Sequence, residues 1–188
     1  IMAKRKSKKS NTTSLVIGII VIALAVLTIC TLFMPVFTSK TDSLLGATSS
    51  NITGGEVVKS LFQGDYLTES GATGVNAMIA LRKADESAFV TVVFGWAYFI
   101  TVLVSAAVVV FAILSLLGLK FKLTNTILGA GLVVLAVVTF IFAIVVAGKF
   151  GSVDLGSIVT SKTVIGVGIY MLIATLITGG AEIYNARK

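Results

Sequence analysis

Four long apolar stretches separated by polar segments dominate the hydrophobic pattern of the chain. They cover residues 15–37, 88–119, 125–148 and 163–184. A hydrocarbon core of about 30 Å requires roughly 20 helical residues, and each stretch is long enough to cross it. None alternates between polar and apolar residues as the strands of a membrane barrel do. The pattern therefore predicts an all-α integral membrane protein with four transmembrane helices in a bundle.

The polar segments between these stretches divide the rest of the chain into tails, loops and one larger unit. They are a basic tail at 1–14, a segment at 38–87, a turn at 120–124, a loop at 149–162 and a short tail at 185–188. Because the turn at 120–124 is so short, the second and third helices are predicted to be antiparallel neighbours. Thr124 or Asn125 is predicted to cap the third helix.

The segment 38–87 is the only polar part large enough to form a small ectodomain. Its start, up to residue 51, is rich in Ser, Thr and Gly, which predicts a loop. Thr53 and Glu56 have the spacing of a capping box, which predicts a short helix that ends at Gly64. A second short helix is predicted at 75–83. Both helices are expected to rest on the span ends, on lipid headgroups or on a partner.

The distribution of Lys and Arg predicts the orientation of the bundle. With four spans, nine of the 15 basic residues fall on the side of the two termini and lie in short segments. The positive-inside rule then predicts a multi-pass plasma-membrane protein with both termini in the cytoplasm. A basic tail directly before a span is expected to hold anionic lipids, and no nucleic-acid partner is expected. The residues that mark topology and lipid contact are Lys4, Arg5, Lys6, Lys8, Lys9, Lys120 and Lys122.

Composition narrows the possible function classes. Of the 188 residues, 56% are hydrophobic and 12% are charged, with a mean hydropathy of +1.05. These values exclude a water-soluble globular domain and a disordered chain. The sequence has no His and only one Cys. A histidine base, a histidine metal ligand and a disulfide framework are therefore excluded.

Small residues form a stripe on each predicted span, which is the pattern by which membrane helices approach each other closely. The residues predicted to pack helices are Gly18, Ala25, Ala97, Thr101, Ser105, Ala112, Gly129, Ala136, Ala143, Ala147, Gly168, Thr175 and Gly179. Bulky apolar side chains remain for the lipid. Aromatic residues with a polar group favour the membrane interface, and Trp96, Tyr98 and Tyr184 are predicted to lie there.

A search for chemistry gives no candidate site. No charged residue lies in the middle of a span, and Glu182 is expected at headgroup level beside Lys120, Lys122 or Arg187. Cys30 is expected to be a buried apolar filler. The sequence has no phosphate-binding glycine loop, metal-ligand cluster or nucleophile–base pair. We therefore predict no catalytic, cofactor-binding or metal-binding residue, and no enzyme activity.

The layout resembles that of claudin-like tetraspan proteins. The shared features are four spans, termini on the inner side, a long first outer loop, a tight inner turn and a shorter second loop. The resemblance covers the whole chain as topology. The family's first loop carries a Trp/Gly-Leu-Trp pattern and two cysteines, whereas 38–87 has neither Trp nor Cys. No functional residue is therefore carried over.

These observations favour a structural role. We predict a non-enzymatic accessory subunit or partner-binding scaffold of a membrane assembly, with another membrane protein or further copies of this chain as partner. An oligomeric channel or small transporter with a Thr/Ser-lined pore is the first alternative. An immunity or sensor protein that meets a ligand through 38–87 is the second. The short Lys-rich start favours a bacterial origin.

Overall fold

A computed structural model describes most of the chain. The backbone is described over residues 2–43, 46–63, 86–119, 121–149, 153–154 and 159–187. The side chains are described over residues 12–40, 47–62, 89–119, 121–149 and 162–187.

The described residues form six helices, one 3-10 turn and four strands. In chain order they are α1 Met2–Cys30, the 3-10 turn Thr31–Phe33, β1 Pro35–Ser43, β2 Gly46–Thr53, α2 Gly54–Gln63, α3 Glu86–Leu116, α4 Lys122–Lys149, β3 Val153–Asp154, β4 Val159–Ile165, α5 Val167–Tyr170 and α6 Leu172–Arg187.

Four helical segments are long and apolar enough to cross a membrane. They are Thr12–Phe33, Phe89–Leu116, Lys122–Lys149 and Val167–Arg187, the last of which joins α5 and α6. The prediction of a four-helix membrane bundle is confirmed. Large apolar side chains such as Leu103, Val134 and Ile173 are more than half exposed on its surface. Small residues at the helix contacts, with bulky apolar side chains on the exterior, are the arrangement that lipid surroundings favour.

A four-stranded sheet covers one end of the bundle, which we call the sheet end. The other end, near both termini, is called the terminus end. The strand order is β2-β1-β4-β3, and every neighbouring pair is antiparallel. β1 pairs with β2 from the same loop and with β4 from the second loop, where Phe37 lies opposite Ile165. The described strands of the two polar segments thus form one sheet.

The sheet corrects the sequence prediction of a loop up to residue 51. The first span ends at Phe33 rather than at residue 37, because Pro35 has no backbone N–H to continue a helix. Val36 and Phe37 extend the apolar run, but they belong to β1 and pack on the ends of the helices. The start of the fourth predicted span, 163–165, is likewise part of β4.

Hydrogen bonds fix the sheet to the spans. The Gly54 N–H donates to the Met34 carbonyl at 3.1 Å, and the Gly166 N–H donates to the Val36 carbonyl at 2.7 Å. α2 begins with the predicted capping box, since the Thr53 N–H donates to the Glu56 carboxylate at 2.7 Å. Gly64 and the predicted helix at 75–83 lie outside the described residues.

A tight turn joins α3 to α4 at the terminus end. Gly118 has a φ of +96°, a conformation that glycine adopts without steric cost. The Leu119 N–H donates to the Leu114 carbonyl, and the Gly118 N–H donates to the Ser115 carbonyl, which are the two bonds of a Schellman cap. α4 begins at Lys122, so Thr124 and Asn125 lie inside its first turn and the prediction that one of them is the cap was wrong.

Candidate functional site

The small residues of the four stripes lie inside the bundle. All of them are buried except Ala147, which is half-buried: Gly18, Ala25, Ala97, Thr101, Ser105, Ala112, Gly129, Ala136, Ala143, Gly168, Thr175 and Gly179. The closest approach they permit is between α4 and α6. A Cβ built at Gly129 would lie 2.8 Å from the Gly179 carbonyl oxygen. Any side chain at either position would separate the two backbones.

Hydroxyl groups pair across the helices in the bundle interior. The Thr28 and Thr175 oxygens are 2.9 Å apart between α1 and α6. The Thr101 and Thr139 oxygens are 3.1 Å apart between α3 and α4. All four residues are 0% exposed. The hydrogen-bond partners of Thr175 and Thr139 on other helices could not be predicted, because a single sequence does not indicate which hydroxyls of different helices lie together.

The aromatic residues predicted for the interface have different environments. Tyr184 is half exposed, and Trp96 is half-buried, with its ring edge-on to Phe62 and Phe99. The placement of Tyr98 in the lipid interface was wrong, because its side chain is 0% exposed and faces the interior. Its hydroxyl lies 2.7 Å from the Thr31 hydroxyl, which satisfies the polar group inside the bundle.

The basic residues predicted to contact lipid are described in part. Lys122 is exposed at the start of α4. Lys120 lies outside the described residues. Five of the residues lie in the first turns of α1, where the backbone is helical and the side chains are not described: Lys4, Arg5, Lys6, Lys8 and Lys9.

Glu182 is a buried carboxyl between helices. Its side chain is 1% exposed, and neither carboxylate oxygen has a hydrogen-bond partner. The expectation that it lies at headgroup level beside a basic residue was therefore wrong. The reason is packing, because the close contact of α6 with α4 at Gly129 includes the Cβ of Glu182, so that this residue begins inside the helix contact. Cys30, expected inside the bundle, is instead exposed on its surface.

β2 is an edge strand of the sheet. β2 pairs with β1 on one side only, and no described residue pairs with its other side. Residues 47–52 are all exposed. The strand contains no charged residue and no Pro, although charges and Pro are common means of protecting a sheet edge.

A cleft of about 530 Å³ lies between the sheet, α2 and the outer end of α3. The apolar residues that line it include Phe37 and Phe94, whose ring centroids are 5.2 Å apart. Ser50 and Ile52 of β2 also line it. The cleft therefore adjoins β2.

In the described part of the chain, no three His, Cys, Asp or Glu side chains come together in a way that could hold a metal ion. No family model matches the chain, and comparisons with curated proteins and with solved structures also gave no match. The resemblance to claudin-like proteins remains a prediction about layout.

Proposed function

We propose that the protein is a non-enzymatic accessory subunit or partner-binding scaffold of a membrane assembly. In this proposal it lies in the plasma membrane with both termini in the cytoplasm, so that the sheet faces outward. The observation that carries the proposal is the uncharged outer edge of β2, with which no described residue pairs, above a bundle that already packs against itself. The partner is an extended segment of another protein of that assembly.

The chemistry of the edge supports this partner. An added strand would bond the unpaired N–H and C=O groups of β2, and the adjoining cleft would select one of its side chains. Backbone bonds supply affinity and side-chain pockets supply specificity in this mode of recognition. Because β2 has only small, polar and apolar side chains, we expect an uncharged partner segment.

The interior of the bundle supports a structural role over a pore within one chain. The buried hydroxyls of Thr28 and Thr175 bond each other, as do those of Thr101 and Thr139, rather than lining an open path. Interhelical hydrogen bonds of this kind hold membrane helices in place.

Purification in a mild detergent tests the proposal. We expect a stoichiometric partner to co-migrate with the native chain and with Ser49→Thr, which keeps an uncharged strand residue. Ser49→Glu places a charge on the exposed edge, directly opposite Lys40, where the opposite charges leave the β1–β2 pairing intact. We expect this variant to lose the partner while amide exchange shows an intact sheet. A monomer without any partner, or a partner retained equally by Ser49→Glu, contradicts the proposal.

The orientation is tested by labelling single cysteines in intact cells, in a Cys30→Ala background. An impermeant maleimide is expected to label Ser49→Cys from outside. Thr12→Cys, close to the terminus end, is expected to react only after the membrane is opened. The reverse pattern would place the sheet in the cytoplasm.

A further inference from the structure

Two buried polar side chains on neighbouring helices have oxygen atoms without a hydrogen-bond partner. Glu182 of α6 is 1% exposed, and both of its carboxylate oxygens are unpartnered. Asn125 of α4 is 5% exposed, and its side-chain oxygen is also unpartnered. The other end of the Asn125 amide donates to the Ser115 hydroxyl at 3.1 Å. Buried acceptors of this kind are rare and require an explanation.

Glu182 lies at the contact between α4 and α6, and Asn125 lies beside this contact on α4, with its amide on Ser115 of α3. The Cβ of Glu182 lies 3.2 Å from the position that a Cβ at Gly129 would occupy. Asn125 precedes Gly129 by one helical turn and therefore lies on the same face of α4. The described residues thus place three unpartnered oxygens close to Gly129, two at the α4–α6 contact and one a helical turn away on α4, near the terminus end.

No basic side chain neutralises this group in the described structure. The charged residues that α4 and α6 contribute at the terminus end are Lys122 and Arg187, which are both exposed and do not bond Glu182. The described side chains of α1 and α3 include no charged residue, and the titratable Tyr184 of α6 is half exposed. The side chains of residues 2–11 of α1 are not described.

A carboxylate without a partner is unstable in such a position, and membrane proteins keep ionisable groups inside helix bundles mainly for ion or proton movement. We propose that Glu182 and Asn125 form a buried binding site for a small cation, either a proton or an alkali-metal ion. This goes beyond the proposed partner binding and does not depend on it.

The two cations would use the oxygens differently. A proton transferred from hydronium breaks one O–H bond of the hydronium ion, forms one O–H bond on Glu182 and leaves water behind, and release reverses this transfer. An alkali-metal ion is held by the carboxylate together with the Asn125 side-chain oxygen, and no covalent bond changes. Hard cations of this type prefer oxygen ligands.

Labelling with dicyclohexylcarbodiimide tests the site in the full chain in lipid nanodiscs. This apolar reagent reacts with protonated carboxyl groups in apolar surroundings, and peptide mass spectrometry locates the product. We expect Glu182 to be labelled in sodium-free choline buffer and to lose labelling as the pH rises. Protection by sodium chloride, but not by choline chloride at the same ionic strength, identifies the alkali-metal ion. Without such protection, the pH dependence identifies the proton.

Two variants separate binding from folding. Glu182→Gln keeps the side-chain shape, and we expect it to abolish labelling of the α6 peptide. Glu56→Gln, at an exposed position of α2, is the control and is expected to leave that labelling unchanged. If sodium protects, Asn125→Val is expected to weaken protection at least tenfold while labelling in choline persists. Absence of Glu182 labelling at every pH, or labelling that neither pH nor sodium changes, overturns the proposal.

Discussion

Gly129 of α4 and Gly179 of α6 bring two helix backbones into direct contact. A Cβ at Gly179 would lie 2.6 Å from the Gly129 carbonyl oxygen, and a Cβ at Gly129 would lie 2.8 Å from the Gly179 carbonyl oxygen. A backbone oxygen cannot move aside as the end of a flexible side chain can. Close packing at this contact therefore requires glycine at both positions. Membrane helices associate through such close packing because lipid removes the hydrophobic driving force between them.

Replacement of Gly179 by Ala is expected to destabilise the bundle by about 1–3 kcal/mol, because the added methyl forces the backbones apart. The matched control is Gly180→Ala, since a Cβ at Gly180 meets no atom within 4 Å. That change is expected to be neutral or to stabilise the helix by up to about 1 kcal/mol. Thermal unfolding in detergent micelles measures both, and equal melting temperatures would contradict the packing argument.

The hydroxyls of Thr28 and Thr175 are expected to be energetically coupled. Replacing either residue by Val removes one partner of the 2.9 Å contact between α1 and α6. A double-mutant cycle is expected to give a coupling free energy of about 0.6 kcal/mol and at most about 1.7 kcal/mol, as found for hydrogen bonds between membrane helices. Pairing Thr28→Val with Thr126→Val, on α4, is the control and is expected to give additive effects.

The spans could be predicted from the sequence because their signal is local. An apolar run of 20 residues crosses a bilayer as a helix, and the residues that share one face of that helix follow from their spacing in the sequence. The stripe containing Gly129 and Ala136 is therefore visible without a structure. Its partner residue, Gly179, could be named as small but could not be matched to it.

The sheet could not be predicted because its pairing is long-range. Phe37 lies opposite Ile165, and no local pattern connects the two loops. β2 has an irregular mixture of small and polar residues, which is as typical of a loop as of an exposed strand. Tyr98 illustrates the same limit. Its hydroxyl predicts a position at the membrane interface, and only the structure shows that Thr31 provides a buried hydrogen-bond partner.

Removal of the Tyr98 hydroxyl is expected to loosen the sheet end of the bundle. Tyr98→Phe leaves the ring stacked near Phe94 but breaks the 2.7 Å bond to Thr31. We expect a loss of about 1 kcal/mol, with faster amide exchange at Gly54, which lies against this hydroxyl. Tyr170→Phe removes a hydroxyl from a half-exposed ring and is the control. Equal losses in the two variants would contradict a specific role for the buried bond.

The capping box at the start of α2 is expected to make this helix sensitive to acid. The Thr53 backbone N–H, then its hydroxyl and then Lys59 lower the pKa of Glu56 below its ordinary value of 4.5. A carboxyl whose pKa is lower in the folded state contributes stability above its unfolded pKa, and this contribution is lost as the pH falls through the folded pKa. α2 is therefore expected to fray below about pH 4.5.

Amide exchange of α2 tests this expectation. It is measured from about pH 6 downwards and corrected for the intrinsic rate of exchange. Protection of the amide of residue 56 reports on the cap, because it depends on the bond from this N–H to the Thr53 hydroxyl. Glu56→Gln can still accept from the Thr53 N–H but has no charge to lose, so its protection is expected to stay constant with pH. Since Lys59 contributes least to the pKa shift, Lys59→Ala is expected to change the transition only slightly. An unchanged acid transition in Glu56→Gln would assign it to another group, and a large change in Lys59→Ala would make the ion pair, rather than the cap, its cause.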